Sequence, residues 1–151
     1  MSVKYSLAVQ DNNDHYTKEY DKYIAALLSK QEDLADFGLN RTFSEKLTDI
    51  MKKRNLSSVD VYKAARIDRR LFSKIISNKD YTPSKDTVYA IAIALRLDRD
   101  HTNDLLSRAG YLISHSDKRD FLIECHILAE IYDIDKLNET LSEFNLKLLG
   151  E

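Results

Sequence analysis

The chain has 151 residues, 43% of them hydrophobic and 32% charged, with three glycines, one proline, one cysteine and a net charge of −2. That length suits one domain with a true core plus appended helices, and the scarcity of breakers favours helix. The single Cys125 excludes an internal disulfide, no apolar run approaches the roughly 20 residues that cross a bilayer, and residues 1–14 lack a signal-peptide pattern, so a cytoplasmic protein is expected.

Residues 1–14 carry no hydrophobic period and read as a loose arm. A first helix is predicted over 15–36, where Tyr16, Tyr20, Tyr23, Ile24, Leu27 and Leu28 recur at helical spacing. The Tyr16/Tyr20/Tyr23 row either packs inward or forms a dimer or partner surface. Gly38 offers a stop. Thr42 with Glu45 three residues on is a capping box, opening a helix to about Arg54 whose last turn, Lys52-Lys53-Arg54, suits the helix dipole.

Ser57 or Ser58 caps a short helix carrying Val59, Val61, Tyr62 and Ala65. Asp68 is placed as the cap of the next, which reaches about Asn78. Ser84 opens a strongly apolar helix up to Leu97, expected to be the central buried one. A further helix follows Asp98 or Asp100 and ends near Gly110. Two more are predicted, one after Ser116 with Phe121, Leu122, Cys125, Leu128 and Ile131, and one after Asp135 with Leu137, Leu141 and Phe144. No segment alternates cleanly enough for a strand.

Charge divides the chain into three parts. Residues 1–40 hold four lysines against seven acids, a net of −3; residues 41–110 hold fifteen basic residues against nine acids, a net of +6; residues 111–151 hold four against nine, a net of −5. The whole-chain value hides a basic centre between acidic flanks.

The basic centre includes a helix with two unlike faces. At 100° per residue, Leu71, Phe72, Ile75 and Ile76 gather on one side. Arg70, Ser73, Lys74 and Ser77 gather on the other, with Arg69 at the boundary, and no acid intervenes between Arg69 and Lys79. A solvated basic face is the ordinary property of any surface helix. Here a second helix lies just upstream at turn distance, which makes a helix-turn-helix and gives the donors a use. Arginine reads a guanine edge with two parallel hydrogen bonds, and Ser or Lys serves bases or phosphates.

Several short motifs occur in a fixed order around that unit: Leu56-Ser57 at the entry of the first short helix, Ile67-Asp68 before the basic helix, and Leu71-Phe72-Ser73-Lys74-Ile75 within it. Pro83-Ser84 with Thr87-Val88, then Ala94-Leu95, Leu97, Asp100 and Leu105-Leu106, follow. In these residues the segment 43–110 resembles the helix-turn-helix domain of the phage-repressor (Cro/C1, Xre-type) family. The resemblance implies an all-α fold: a five-helix repressor-like core with one added N-terminal helix and two added C-terminal helices. It divides the chain into an arm and helix (1–40), the helix-turn-helix domain (41–110) and a C-terminal helical extension packed on the core (111–151). It implies a sequence-specific regulator of transcription, bacterial or phage, that binds double-stranded DNA as a dimer. Arg69, Arg70, Ser73, Lys74 and Ser77 would enter the major groove; Lys79, Ser57 and Ser58 would meet phosphates, with Lys52, Lys53 and Arg54 adding to the basic surface.

The sequence also departs from that family. Where a Gln commonly opens the second helix stand Ser58 and Val59; where a small residue is usual stands Tyr62; where Gly makes the left-handed turn stands Arg66; and Ile76-Ser77-Asn78 replaces a Glu-x-Gly. These departures, with the acidic flanks, support an alternative: a protein-interaction module (an anti-defence factor, antitoxin or adaptor) on the same scaffold, with DNA binding weakened or lost. No enzyme is expected. His15, His101, His115 and His126 are scattered without metal spacing, and Cys125 reads as a core thiol. No phosphate loop or nucleophile motif is present, so no metal or cofactor is expected.

Overall fold

The computed structural model describes residues 20–22, 24–25, 27–29 and 41–150. Two compact units divide at Leu39/Asn40. In the first, residues 20–22, 24–25 and 27–28 are helical, and Tyr20, Ile24, Leu27 and Leu28 are exposed. Tyr16, Tyr23, the arm over 1–14 and the stop at Gly38 lie outside the described residues.

The second unit is all helix among its described residues. Its elements are α1 (Phe43–Arg54), α2 (Ser58–Ala65), α3 (Arg69–Ser77), α4 (Lys85–Ala94), α5 (Arg99–Arg108), α6 (Lys118–Leu128) and α7 (Ile134–Glu143). Their starts follow from side-chain caps. The Ser57 hydroxyl accepts from the Asp60 amide at 3.1 Å while the Ser57 amide donates to the Asp60 carboxylate at 2.9 Å, a complete capping box. At α1 the box is altered: Thr42 accepts from the Glu45 amide, but the Glu45 carboxylate binds the Thr42 hydroxyl, not its backbone. Ser84, Asp98, Asp117 and Asp133 cap α4 to α7. The last helix thus begins two residues before the expected Asp135 start, because Asp133 satisfies the Asp135 and Lys136 amides.

The ends share one device. Asn55, Arg66, Arg96, Gly110, Glu130 and Asn145 all have positive φ. At each, that residue's amide bonds three residues back and the following amide five back, as in Leu56 to Met51 and Ile67 to Tyr62. This Schellman closure ends each of the helices α1 to α7 except α3. The residue after each turn is apolar (Leu56, Ile67, Leu97, Tyr111, Ile131 and Leu146). It explains why α4 stops at Ala94, not at Leu97: Arg96 has φ 53°.

Around α4 the core is assembled. Val88 through Ile93 are all buried, and α4 packs against α2 and α5. The α1 helix packs on α3 and α5, α2 on α3, α5 on α6, and α6 on α7. Phe72 and Ile75 seat α3 on this core, 1% and 0% exposed. Truncating such a side chain costs about 2–5 kcal/mol. The Tyr62 and Phe72 rings meet with centroids 6.0 Å apart, joining α2 to α3.

The faces of α6 differ from expectation. Its inner side presents Ile123 and Ile127 together with the buried acids Asp120 and Glu124. Phe121 and Leu128 are half exposed on the other side, and Cys125 is only partly covered, so it is not a core thiol. Periodicity misassigns this helix because both faces carry apolar residues, and the inner acids are tolerated through partners outside the helix. Phe144 and Val59 are likewise exposed.

Candidate nucleic-acid interface

The α3 helix holds its two faces apart by burial. Phe72 and Ile75 anchor it, Leu71 and Ile76 are partly covered, and Arg69, Arg70, Ser73, Lys74 and Ser77 are all exposed. Its orientation is fixed at two points along its inner side. The Ser44 hydroxyl, itself buried, donates to the Ile76 carbonyl at 2.8 Å, tying the last turn of α3 to α1. The Tyr62 ring contact braces the middle. The outer side chains are therefore presented by a rigid, packed element.

The cations on this face are not neutralised. Arg69, Arg70 and Lys79 make no ion pair or side-chain hydrogen bond with any described residue. Lys74 differs: its ammonium lies 4.7 Å from the centroid of the Tyr81 ring, which restrains it without cancelling its charge. Asp68 stands at the N-cap position of α3 yet makes no side-chain capping bond. The first-turn amides of α3 are thus not satisfied by that carboxylate, contrary to the capping role expected for it.

The phosphate-contact candidates sit around the same surface. Ser58 lines one groove with Arg69, Ser73 and Ser77, together with Val59, Tyr62, Phe72 and Ile76. Ser57 is exposed, and its oxygen is engaged as the α2 cap. Lys79 and Lys52 line a second groove, across α1 and the end of α3, shared with Glu45 and Asp49. The other two basic residues of that run are committed elsewhere. Lys53 pairs with Asp49 at 3.0 Å, and the Arg54 guanidinium donates to the Leu95 carbonyl.

Between α2 and α3 the turn is Arg66-Ile67-Asp68. Arg66 has φ 56°, the left-handed conformation that strains a residue with a Cβ. Its guanidinium is bound to Asp135, whose hydrogen bonds hold the Arg66 pKa above and the Asp135 pKa below their ordinary values. Sequence reasoning flagged the conformation but missed the partner, which lies 69 residues away. The Ser44 and Tyr81 contacts to α3 were equally missed.

Elsewhere the described residues hold no cluster of His, Cys, Asp and Glu able to bind a metal, and no helix long and apolar enough to cross a membrane. Every buried side-chain nitrogen or oxygen among them has a hydrogen-bond partner. Comparisons with protein-family models, curated proteins and solved structures gave no match to this chain.

Proposed function

We propose that this protein is a sequence-specific double-stranded DNA-binding regulator, with α2 and α3 as a helix-turn-helix inside a five-helix repressor-like core. The observation that carries the reading is the outer face of α3: five exposed donors, three of them cations without an acidic partner, on a helix anchored by Phe72 and Ile75. In this reading α3 lies in the major groove. Arg69 and Arg70 read base edges, Ser73, Lys74 and Ser77 meet bases or phosphates, and Ser57, Ser58 and Lys79 grip the backbone. An α3 amino end whose amides are not taken by Asp68 adds a favourable phosphate position.

Selection of bound duplexes from a random pool at two salt concentrations tests it. Enrichment of one sequence with an affinity that falls steeply with salt supports the regulator. Absence of enrichment overturns it.

A second reading is favoured by one observation: apolar residues help line the groove beside α3, and one of them, Val59, is 45% exposed. An exposed valine beside a recognition helix suits a protein partner better than a phosphate backbone. On that reading the same scaffold is an interaction module, and a captured protein partner without duplex binding at low salt identifies it.

A further inference from the structure

Past α7 the chain is not helical over residues 146–148, and no backbone group of residues 147–150 bonds to the backbone of another described residue. Side chains hold the segment instead. The Arg119 guanidinium donates to the Lys147 carbonyl at 2.8 Å and to the Leu148 carbonyl at 3.3 Å. Asn138 engages both backbone groups of Leu149: its Oδ1 accepts from the amide at 2.7 Å and its Nδ2 donates to the carbonyl at 3.1 Å. Leu149 is 4% exposed and belongs to the core, Leu146 and Leu148 are half-buried, and Lys147 is exposed.

Bound peptides are held in the same manner: hydrogen bonds to the main chain supply affinity, and a pocket for a side chain supplies selectivity. The groups that hold the segment have supports of their own. Asp86, in the first turn of α4, accepts two bonds from the Arg119 guanidinium, at 2.6 and 2.9 Å. Asn138 stands within α7, which packs on α6. The site therefore keeps its shape when the segment leaves, and what leaves breaks four hydrogen bonds and uncovers one leucine pocket. Gly150, exposed at φ 96°, lines a small pocket with Ile67, Asp68 and Leu71, so the segment reaches the turn that precedes α3.

We propose that Arg119 and Asn138 form a binding site for an extended, leucine-bearing peptide, and that the chain's own residues 146–149 fill it as a releasable strap. The ligand chemistry follows from the strap: apolar residues where Leu146, Leu148 and Leu149 stand, and any residue in place of the exposed Lys147. The strap is autoinhibitory, because a peptide of that kind from a partner enters only when residues 146–149 lift. Its apparent affinity is lowered by the fraction of molecules with the strap seated. This inference is independent of DNA binding, and its test uses no nucleic acid.

Two measurements on the full chain test it. In hydrogen exchange, the Leu149 amide opens locally and exchanges at least about tenfold faster than the amides of the buried α4 residues Ile91 and Ala92. In fluorescence anisotropy, a labelled peptide spanning residues 145–151 binds a Leu149→Asp chain, whose strap cannot bury a charge, at least about tenfold more tightly than it binds wild type. The same peptide carrying Leu149→Asp does not bind, and adding Asn138→Ala to the Leu149→Asp chain weakens binding severalfold. A Leu149→Asp chain that loses its circular-dichroism signal and regains it with the peptide gives the same answer. The proposal is overturned by a Leu149 amide that exchanges only on global unfolding, by a peptide that binds wild type and variant alike, or by a variant, folded or not, that takes up no peptide.

Discussion

The Arg66 guanidinium donates two parallel hydrogen bonds, both 2.7 Å, to the two carboxylate oxygens of Asp135. The pair ties the left-handed turn between α2 and α3 to the first turn of α7. Both side chains are largely exposed, so the bridge contributes little to global stability. Its consequence is electrostatic. A cation one turn from the start of α3 is neutralised by the C-terminal part of the chain.

Asp135→Asn therefore frees a positive charge beside the proposed DNA face. The expected result is a melting temperature close to wild type and a tighter duplex affinity at low salt. The slope of log affinity against log salt should steepen by about one unit, the value of one added phosphate contact. Fluorescence anisotropy at several salt concentrations measures it. An unchanged slope puts Arg66 beyond reach of the backbone.

The α3 face itself predicts separable effects. Arg70→Ala should cost about 1–3 kcal/mol and relax preference at one base pair of the selected site. Lys74→Ala should weaken all duplexes alike and lower the salt slope by about one, while also releasing Tyr81. Both residues are exposed, so thermal melts serve as the folding control. If the double variant binds the selected duplex as wild type does, α3 is not the reading helix.

How much of this was legible before the structure depends on where the determining contacts lie. Helix starts are local: Ser57 with Asp60, Ser84 and Asp98 sit within one turn of the amides they satisfy, and sequence spacing locates them. Helix ends use the Schellman turn, usually marked by glycine, but only Gly110 of the six such positions is one. The remaining signal was the polar-then-apolar pair after each helix, such as Arg66-Ile67 and Arg96-Leu97. The exposed basic face of α3 followed from its periodicity. The inner face of α6 did not, because Asp120 and Glu124 look like solvent residues until Lys85, Tyr89 and His115 are brought to them.

That buried network gives stability a pH dependence. The Asp120 carboxylate, 6% exposed, accepts from Tyr89 Oη at 2.8 Å, Lys85 Nζ at 2.6 Å and the Ser114 amide at 3.0 Å. Burial alone would raise its pKa, but the Lys85, Ser114 and Tyr89 hydrogen bonds together hold it below the ordinary carboxylate value. A folded-state pKa below the unfolded one means a contribution fully present above about pH 4 and lost as pH falls through the folded value. Asp120→Asn should cost about 1–3 kcal/mol at pH 7, and the gap to wild type should close below pH 4. Asp120→Ala, which strands the Lys85 ammonium and the Tyr89 hydroxyl, should cost about 3–5 kcal/mol. Urea unfolding from pH 7 to 3 checks both, and a gap that stays constant into acid would refute the linkage.

Strain stored in the helix ends is the last measurable quantity. Glu130 has φ 58° and forms no ion pair with a described residue, so replacing it removes strain and little else. It also stands as an acid at a helix C-terminus, which the dipole disfavours. Glycine at a left-handed position gives up unfolded-state entropy but gains more than that in the native state. Glu130→Gly should stabilise the fold by about 1 kcal/mol, read as a higher urea midpoint at unchanged slope. Asn145→Gly is the matched control: asparagine tolerates the same conformation at φ 56°, so its replacement should change the midpoint little. Equal midpoints for the two variants would show that the turn after α6 carries no strain beyond that of an asparagine.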